Sequence, residues 1–456
     1  MATTQVINLS HLAGAKRIDP EFYQPDYLLA RDRVFLLPTK TIAQMSTRVV
    51  SFGAYSLCNY IVWREAGIPY LKAENILDGY INYSEAMFID EDVHAILSKS
   101  EVHEGQVLFS MSGTTGNAAV AYKIPAKLNA SQDVAKITLR QGYSPFYVAA
   151  FLNSKYGRMQ TQREIVGSVQ QHVFLWQIKN FVVPIVPKDI EDRVEALQRE
   201  GLDQLSASNA FYSQAENLLL EELGLKDFQP KYELSYAASL SKAFGVHRVD
   251  AEYFQPSYDA IESHLRNNFD AVPIRKMSFI EVTTGQYCEE YVSKSDGAPY
   301  IRGADISNET IRMDDLVYIG SNNQDPHKKA LEGDVVVTRV GTIGLSARIP
   351  KECEGGTISD NLIRLRFNND RLNSYYLALF LGCPIGVSLM IRNSRGSVQQ
   401  RLNQETLKEV IVPILQYKTQ REIALLVQQS HEARGKAKQL LEEAKSKVEN
   451  LIEGGV

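Results

Sequence analysis

The pentapeptide Gly-Ser-Val-Gln-Gln occurs twice in this chain, at residues 167–171 and 396–400. Glutamine is one of the few side chains that can form two hydrogen bonds with adenine in the major groove of DNA. Each copy follows a stretch rich in basic residues, which can neutralise phosphates although the whole chain is acidic. The pattern favours DNA contact by both loops. The alternative, that each loop is a helix-capping turn beside a solvated charged face, stays open.

A Gly-x-x-Gly turn also recurs, at residues 113–116 and 341–344, each time after a predicted strand. The backbone N–H groups of such turns, and nearby hydroxyls, could meet phosphate or base edges. One such turn alone indicates little, because tight turns commonly contain glycine. Its recurrence at matched positions keeps a binding function open. The basic residues Lys72, Arg302 and Arg339 have two open interpretations, as base readers or as partners in surface ion pairs.

The chain lacks the common signatures of catalysis and of cofactor binding. It has no P-loop, no Gly-x-Gly-x-x-Gly, no Gly-x-Ser-x-Gly and no Asn/Asp-Pro-Pro-Tyr motif. Its four cysteines lie far apart without a Cys-x-x-Cys pair, and its eight histidines show no metal-ligand spacing. The sequence therefore predicts no catalytic residue, no metal and no cofactor. His172 is predicted to be a surface residue, because Arg401 takes its place in the second copy.

Composition and charge narrow the function classes further. The chain has 456 residues, 23% of them charged, and a net charge of −5. This length predicts two or three soluble domains, and no apolar run approaches the roughly 20 residues that a transmembrane helix needs. The acidity counts against a protein that coats nucleic acid, so DNA binding must rest on local basic patches. No secretory signal is visible and the cysteine pattern is typical of a reducing compartment, so we expect a cytoplasmic protein.

The whole chain is an internal duplication. Residues 9–25 and 240–256 are identical at eight of 17 positions, and both contain Arg-x-Asp-x-Glu followed by two aromatic residues, Gln and Pro. The glycine turns and the glutamine loops follow in the same order, at an offset of 228–229 residues. A period this long excludes a solenoid and indicates two copies of a domain-sized unit with approximate two-fold symmetry. The Arg-x-Asp element is more typical of an anchor that holds each domain on the helices than of a DNA-facing surface.

Each copy contains a strand-rich globular part. Short β-type runs broken by Gly, Pro, Asn and Asp, with helical segments at residues 145–162 and 373–391, predict an α+β domain.

A long helix is predicted to close each copy, at residues 189–223 and 418–453, which contain no proline and carry apolar residues at heptad spacing. The heptad pattern is imperfect at Gly201, Ser430 and Arg434. Each helix would span roughly 50 Å. We expect the two helices to pack on each other as an antiparallel coiled coil that spaces the globular parts. Packing of each helix against its own globular part is the alternative.

In the order of these elements the chain resembles the specificity subunits of type I restriction–modification systems. The resemblance covers essentially the whole chain and rests on the duplicated unit, the Pro-Tyr-Leu-Lys and Pro-Tyr-Ile-Arg segments that begin at Pro69 and Pro299, the turns, the loops and the closing helices. It implies a non-catalytic subunit whose two target recognition domains each read half of an asymmetric, bipartite DNA site. It also implies a platform for two methyltransferase subunits, which modify adenine at N6, and for restriction subunits, away from any membrane.

The predicted fold is α+β, with two tandem α/β target recognition domains separated by two long antiparallel coiled-coil helices and related by a pseudo-two-fold repeat. The predicted ranges are 1–188 for the first domain, 189–224 for the central spacer helix, 225–247 for a linker, 248–416 for the second domain and 417–456 for the C-terminal spacer helix.

The residues expected at the DNA differ between the halves, since Met111 and Ser112 are matched by Arg339 and Val340. We therefore expect two different half-sites. Base readers are predicted at Ser112, Thr114, Ser168 and Gln170 in the first half and at Arg302, Arg339, Thr342, Ser397 and Gln399 in the second. Phosphate contacts are predicted at Arg163, Arg392 and Arg395, and Lys72 and Thr115 complete the predicted DNA-binding set.

Two rival functions fit parts of the sequence. A non-DNA protein scaffold with two repeated binding domains is mildly favoured by the acidic charge. A fused nuclease would need a metal-binding carboxylate cluster, and none recurs in both halves. If the chain recognises DNA, its acidity predicts weak binding without partner subunits.

Overall fold

A computed structural model describes residues 6–8, 12, 17–52, 55–167, 171–228, 231–277, 279–307, 310–313, 316–367, 371–396 and 400–454. The chain forms two compact units, Met1–Ser206 with Arg434–Val456 and Ala207–Ala433. Each unit therefore contains one strand-rich part and one segment of each long helix.

Most helices are short and lie between strands, and two are long. They are α1 (Pro25–Val34), α2 (Ile42–Met45), α3 (Glu91–Ile96), α4 (Pro145–Asn153), α5 (Lys155–Glu164), α6 (Leu175–Asn180), α7 (Lys188–Glu222), α8 (Leu240–Val246), α9 (Pro256–Asn268), α10 (Ser374–Gly382), α11 (Pro384–Asn393), α12 (Gln404–Leu407) and α13 (Tyr417–Ile452). By length and composition none of these helices alone could cross a membrane, and only α10 with α11, as a bent pair, passes that test.

The strands are short throughout. In the first unit they are β1 (Thr39–Thr41), β2 (Ser46–Val50), β3 (Ile68–Leu71), β4 (Met87–Ile89), β5 (Val107–Ser110), β6 (Ala118–Val120), β7 (Asn129–Ala130), β8 (Val134–Leu139) and β9 (Val182–Pro184). In the second they are β10 (Ala271–Pro273), β11 (Ile280–Thr284), β12 (Ala298–Ile301), β13 (Val317–Ile319), β14 (Val335–Thr338), β15 (Ser346–Arg348), β16 (Thr357–Ile358), β17 (Leu362–Phe367) and β18 (Ile411–Pro413).

The two units have the same sheet topology, which confirms the duplication. Each contains a four-stranded antiparallel sheet, of order β2-β8-β5-β6 in the first unit and β11-β17-β14-β15 in the second. Each also contains a three-stranded sheet with one parallel pair, β4-β3-β7 and β13-β12-β16. An antiparallel ribbon, β1-β9 or β10-β18, completes each unit. The predicted α+β fold is confirmed.

A buried tyrosine ties the helix beside the central strand to the ribbon in each unit. The central strands β5 and β14 are buried along their whole length. Tyr147 on α4 donates its hydroxyl proton to the Pro184 carbonyl oxygen at 3.0 Å, and Tyr376 on α10 donates to that of Pro413 at 2.6 Å. A buried hydroxyl needs such a partner, because an unpaired one would carry the full desolvation cost. The matched bonds place the apolar helix in the same way in both units.

The apolar helical segments predicted at 145–162 and 373–391 are each two helices that meet at a corner. Ser154 separates α4 from α5, and its side chain caps α5 by accepting a hydrogen bond from the Gly157 N–H group. Pro384 begins α11, where the missing N–H group costs little, and α10 and α11 meet at 71°. A Cβ atom at Gly157 would lie 2.2 Å from a carbonyl oxygen of α4. Glycine is therefore required for the close approach at the corner.

The long helices α7 and α13 pack on each other within each unit and explain the imperfect heptads. In the first unit a Cβ atom at Gly201 would lie 3.1 Å from the Leu441 side chain, so the small residue makes room for the large one. In the second unit the buried hydroxyls of Ser208 and Ser430 lie 3.0 Å apart and form a hydrogen bond. Further along α7 in that unit, apolar residues share a core cluster with Val427, which precedes Ser430. The pairing is thus antiparallel, as predicted.

Both expected packing modes of the long helices occur. The core of the second unit joins Leu219 of α7 and Ile423 of α13 to strands and short helices of the same unit. The core of the first unit does the same with Val194 and Val448. The helices therefore contact both each other and the globular part of each unit.

Candidate nucleic-acid interface

The two glycine turns are held by the same bond and expose the same position. Ser110 Oγ donates to the Thr114 carbonyl oxygen at 2.5 Å, and Thr338 Oγ1 donates to the Thr342 carbonyl oxygen at 2.6 Å. The turn glycines have φ between +69° and +99°, a conformation that favours glycine. Thr114 and Thr342 are exposed at the tips. The turns are therefore structural elements that present an exposed threonine.

The glutamine loop of the first unit lies beside its glycine turn. A backbone bridge between Val166 and His172 closes the loop, and a second bridge joins His172 to Ser112. Thr115 Oγ1 donates to the Gln171 carbonyl oxygen at 3.3 Å. The predicted Thr115 thus lies at the junction of turn and loop.

The second unit repeats this arrangement with different side chains. Backbone bridges join Arg401 to Arg395, which closes the loop, and to Val340 in the turn. Arg339 Nε donates to the Leu402 carbonyl oxygen at 3.1 Å and ties the turn to the loop. The predicted base readers of the loops lie outside the described residues: Ser168, Gln170, Ser397 and Gln399.

The side chain of Ser112 is turned inward, which contradicts its predicted role as a base reader. Ser112 is buried, and its hydroxyl donates to the Asp133 carboxylate at 2.6 Å. Arg339 is half-buried, and its Nη1 donates to the Asp360 carbonyl oxygen at 3.2 Å besides its bond to the loop. Arg339 therefore positions the loop relative to the turn.

The basic residues that follow strands β3 and β12 form ion pairs. Arg302 donates to both carboxylate oxygens of Asp305, at 3.1 and 2.9 Å, and Asp305 is buried. Lys72 Nζ lies 3.7 Å from the Glu74 carboxylate and 5.8 Å from the ring centre of Trp63. The ion-pair interpretation of both positions therefore has structural support, and both side chains stay partly exposed.

An aromatic pair beside each of these basic residues was missed from the sequence. Trp63 lies edge-on against Tyr70 with ring centres 5.3 Å apart, and Tyr291 packs on Tyr300 at 6.2 Å. The outer rings, Trp63 and Tyr291, are exposed. Burial raises the pKa of Tyr300 to about 12, so its hydroxyl stays protonated and donates to the Gln286 carbonyl oxygen. The sequence did contain a sign of this pair, because the two outer rings are separated by 228 residues, close to the offset of the repeat.

Two of the predicted phosphate-binding arginines hold the repeated aromatic element instead. The Arg392 side chain is only 4% exposed and forms ion pairs with Asp259 at 2.6 Å and Glu262 at 3.1 Å. Its guanidinium lies 4.8 Å from the ring centre of Tyr253. This position contradicts a phosphate contact by Arg392, because the charge is already neutralised inside the unit.

Arg163, its counterpart in the first unit, is half-buried. Its guanidinium lies 3.9 Å from the ring centre of Phe22, and Nε donates to the Phe22 carbonyl oxygen at 3.0 Å. Burial, followed by the charge of Arg31, lowers the pKa of Arg163. Among the three arginines predicted to contact phosphates, Arg395 is exposed to solvent, whereas Arg163 and Arg392 are not.

The Arg-x-Asp element anchors on a short helix and not on the long ones. Arg17 donates to the carbonyl oxygens of Arg163 and Glu164 at the end of α5, and Arg248 donates to that of Arg392 at the end of α11. The last carbonyls of a helix lack intrahelical partners and carry partial negative charge, so arginine is well suited to bind there. The Arg-x-Asp element therefore acts as an anchor, as predicted, but it binds the end of a short helix and not the long helices.

The exposed side chains at the turns and loops are suited to contact with a nucleic acid. No group of three or more His, Cys, Asp or Glu side chains in the described part of the chain could hold a metal ion. Exposed threonine tips lie beside each loop, with exposed Arg395 and Arg401 at the base of the second one. Hydroxyl, amide and guanidinium donors of this kind can bond both phosphate oxygens and base edges.

Comparisons with known proteins identify the second half of the chain. Residues 279–443 match the model of the type I restriction modification DNA specificity domain. The chain is similar to the crystal structure of a type I restriction–modification S subunit from M. genitalium, with 13% identity, 91% of this chain and 94% of that chain covered, and a TM-score of 0.43. It is also similar to the HsdS subunit from Thermoanaerobacter tengcongensis, with 14% identity, 92% and 97% covered, and a TM-score of 0.30. The curated proteins give no match.

The matched range begins at the second four-stranded sheet and runs into α13. The first unit repeats that sheet, the corner of two helices, the glycine turn and the loop bridges in the same order. The domain match shows that residues 279–443 are a type I restriction modification DNA specificity domain, and the first unit repeats the elements of that domain.

Proposed function

We propose that each unit reads its half of a bipartite DNA site with the glutamine loop and the glycine turn beside it. The observation that carries the proposal is the repeated contact between turn and loop at the end of the same buried strand, β5 or β14. Donors on a rigid strand end can be presented to a groove without ordering a flexible segment first.

The two half-sites differ, because the matched surfaces differ. The residue that bridges loop and turn is His172 in the first unit and Arg401 in the second. Of these two residues, only Arg401 carries a fixed positive charge. Arginine is among the commonest partners of guanine in the major groove. This difference supports an asymmetric site.

We also propose the assembly in which this recognition operates. The chain positions two adenine-N6 methyltransferase subunits, and restriction subunits where the system cleaves, in the cytoplasm. The repeat of the same sheet topology in both units supports a partner that binds in two copies. The net charge of −5 supports a complex in which partner subunits supply much of the attraction to DNA.

Gln399→Ala is expected to relax recognition at one base pair of the second half-site. A two-bond contact with a base contributes about 1–3 kcal/mol of discrimination, so binding of the true site should weaken about 5- to 150-fold while the substituted site binds equally well. Gln170→Ala should do the same in the first half-site. The measurement maps methylated adenines in cells that carry the chain and its methyltransferase, then titrates the complex on the site and its single-base variants.

Gln141→Ala is the matched control, because Gln141 is an exposed glutamine after β8, at the opposite end of the sheet from the turn. It should leave the methylated sequence and the affinity unchanged. A methylation pattern that is identical for all three substitutions would refute base reading by the loops. A complex with no sequence preference would instead favour the rival scaffold function.

Arg395→Ala is expected to weaken binding to every DNA sequence alike. An arginine that neutralises one phosphate contributes a salt-dependent term without sequence information, so the slope of log affinity against log salt should fall in magnitude by about 1. Titrations of specific and random duplexes at several salt concentrations measure this. An unchanged slope with a lost base preference would assign Arg395 to base readout.

A further inference from the structure

A cavity of about 230 Å³ lies in the first unit beside α1, α5 and α6. Arg31 of α1 and Arg163 of α5 both line it. Its apolar wall includes Val34, Phe35 and Phe181. Phe35 is 47% exposed, and the other two apolar residues are buried. Small-molecule sites have this composition, mostly apolar with a few polar groups that fix the orientation of the ligand.

The second unit has two acids at positions that correspond to residues of α1. Both α1 and α9 begin at the proline that ends the repeated aromatic element, so their residues correspond at an offset of 231. Asp259 and Glu262 of α9 therefore correspond to Leu28 and Arg31 of α1. The first unit thus has an apolar residue in place of one acid and a cation in place of the other.

Arg163 does not have the carboxylate partners of its counterpart. In the second unit Arg392 forms ion pairs with Asp259 at 2.6 Å and Glu262 at 3.1 Å. Within the part of the first unit that the structure describes, neither Arg31 nor Arg163 takes part in an ion pair, and each packs on an aromatic ring instead. Two cations therefore share the cavity of the first unit where the second unit pairs a cation with acids.

Three other polar side chains of the cavity wall are already bonded within the protein. Gln160 accepts a hydrogen bond from the Val182 N–H group at 2.8 Å and donates to the Val182 carbonyl oxygen at 3.3 Å. Gln177 donates to the Glu164 carbonyl oxygen at 2.6 Å and to its carboxylate at 3.1 Å. The Glu164 carboxylate also lies 3.7 Å from Arg17. The two guanidinium groups thus remain as the charged groups that a ligand can pair with.

We propose that this cavity binds a small organic carboxylate, whose charged group pairs with Arg31 and Arg163 and whose apolar body lies against Val34 and Phe35. The planar guanidinium group matches a carboxylate in two parallel hydrogen bonds. Carboxylates are also the groups that the corresponding arginine binds in the second unit. A cavity of about 150 Å³ holds a benzene ring, so this one has room for a ring that carries a carboxylate. The inference goes beyond DNA recognition and uses none of the donors of the turns and loops.

The test titrates the full-length chain with benzoate, by calorimetry at low ionic strength. Benzoate should bind once per chain with a dissociation constant of roughly 1 mM or less, as expected for a ligand of so few atoms. Acetate has the charge without the body, and benzyl alcohol has the body without the charge. Each of these two should bind at least tenfold more weakly than benzoate, and so should inorganic phosphate.

Arg31→Glu gives the first unit the acid that the second unit has at this position. It should weaken benzoate binding at least tenfold, because the new carboxylate pairs with Arg163 and occupies the place of the ligand. The same pairing should slow hydrogen exchange of peptides from residues 155–164. Arg31→Gln, which removes the charge without supplying an acid, should also weaken binding at least tenfold but should not slow exchange.

Arg33→Glu is the matched control, because it makes the same change of charge at an exposed residue two positions further along α1, which does not face Arg31. It should bind benzoate as the wild type does. Equal binding by the wild type, Arg31→Glu and Arg31→Gln would overturn the inference. Acetate, phosphate or benzyl alcohol that binds as tightly as benzoate would overturn it too. So would a chain that binds no benzoate and loses DNA affinity with Arg31→Gln, because the cavity would then belong to the DNA-binding surface.

Discussion

Arg392→Ala is expected to lower the free energy of unfolding of the second unit by about 3 kcal/mol. The substitution removes a buried charge that two carboxylates share, so that Asp259 keeps only its pair with Lys242 and Glu262 only its pair with Arg266. The estimate is at the low end of the effect of breaking a buried ion pair, because both carboxylates are partly exposed. The ring of Tyr253 also loses the guanidinium packed beside it. Hydrogen exchange of peptides from residues 248–268 and 384–396 measures the loss in the second unit alone.

Two arginines provide controls for this result. Arg395→Ala, three residues further on and exposed, should leave hydrogen exchange unchanged although it weakens DNA binding. Arg163→Ala should cost less than Arg392→Ala, because Arg163 contacts a ring and a carbonyl oxygen, and no bond to a carboxylate is described for it. If Arg392→Ala left exchange unchanged and lowered DNA affinity, the phosphate contact predicted from the sequence would be correct and the structural role wrong.

The inward position of Arg392 could not be predicted from the sequence, although the family and the duplication could. A basic residue before a glutamine loop has the same sequence pattern whether it faces DNA or the protein interior. Its carboxylate partners lie more than 120 residues earlier in the chain, on α9, and only the folded unit brings them together. Ser112 is a similar case, because the Asp133 carboxylate that accepts its hydrogen bond lies in the connection between β7 and β8, 21 residues further along the chain.

The long helices show the opposite relation between sequence and structure. Their limits were predicted within about a residue from the absence of proline and from the heptad spacing, which are local properties. The imperfect heptad positions suggested weak packing, because the sequence of one helix does not show which residue of the other helix packs against each position. In the structure Gly201 faces Leu441, and Ser430 faces Ser208, so these two irregularities are complemented by the residues opposite them.

Raising the pH from about 7 to about 10 is expected to stabilise the first unit through Lys136. This side chain is 1% exposed, and its Nζ donates to the Lys99 carbonyl oxygen at 2.8 Å. Burial, followed by the charge of Arg48, lowers the pKa of Lys136 to about 7. Above that pH the folded unit has released a proton that the unfolded chain still binds until about pH 10.4. The free energy of unfolding should therefore rise with pH across this window, by at most about 1.4 kcal/mol per pH unit.

The second unit contains a matched cation that makes the cause testable. Arg364 occupies the equivalent place in the sheet and is paired with Glu281 at 3.0 Å and Asp334 at 3.8 Å. In the first unit Arg48 and Gln106 take the places of those two acids. Lys136→Met should remove the pH dependence and stabilise the first unit at pH 7. Arg364→Met should instead destabilise the second unit, because Glu281 loses its partner and Asp334 keeps only Arg366.

Gln106→Asp restores one of the missing acids and is the decisive variant. Gln106 accepts a hydrogen bond from the His103 N–H group at 3.0 Å, as Asp334 does from the Leu331 N–H group at 2.8 Å, so an aspartate has the same backbone partner available. The new carboxylate should raise the pKa of Lys136 and flatten the rise of stability between pH 7 and 10. Hydrogen exchange of peptides from residues 107–139 at several pH values measures this. A slope that persists in both Lys136→Met and Gln106→Asp would show that another group carries the pH dependence.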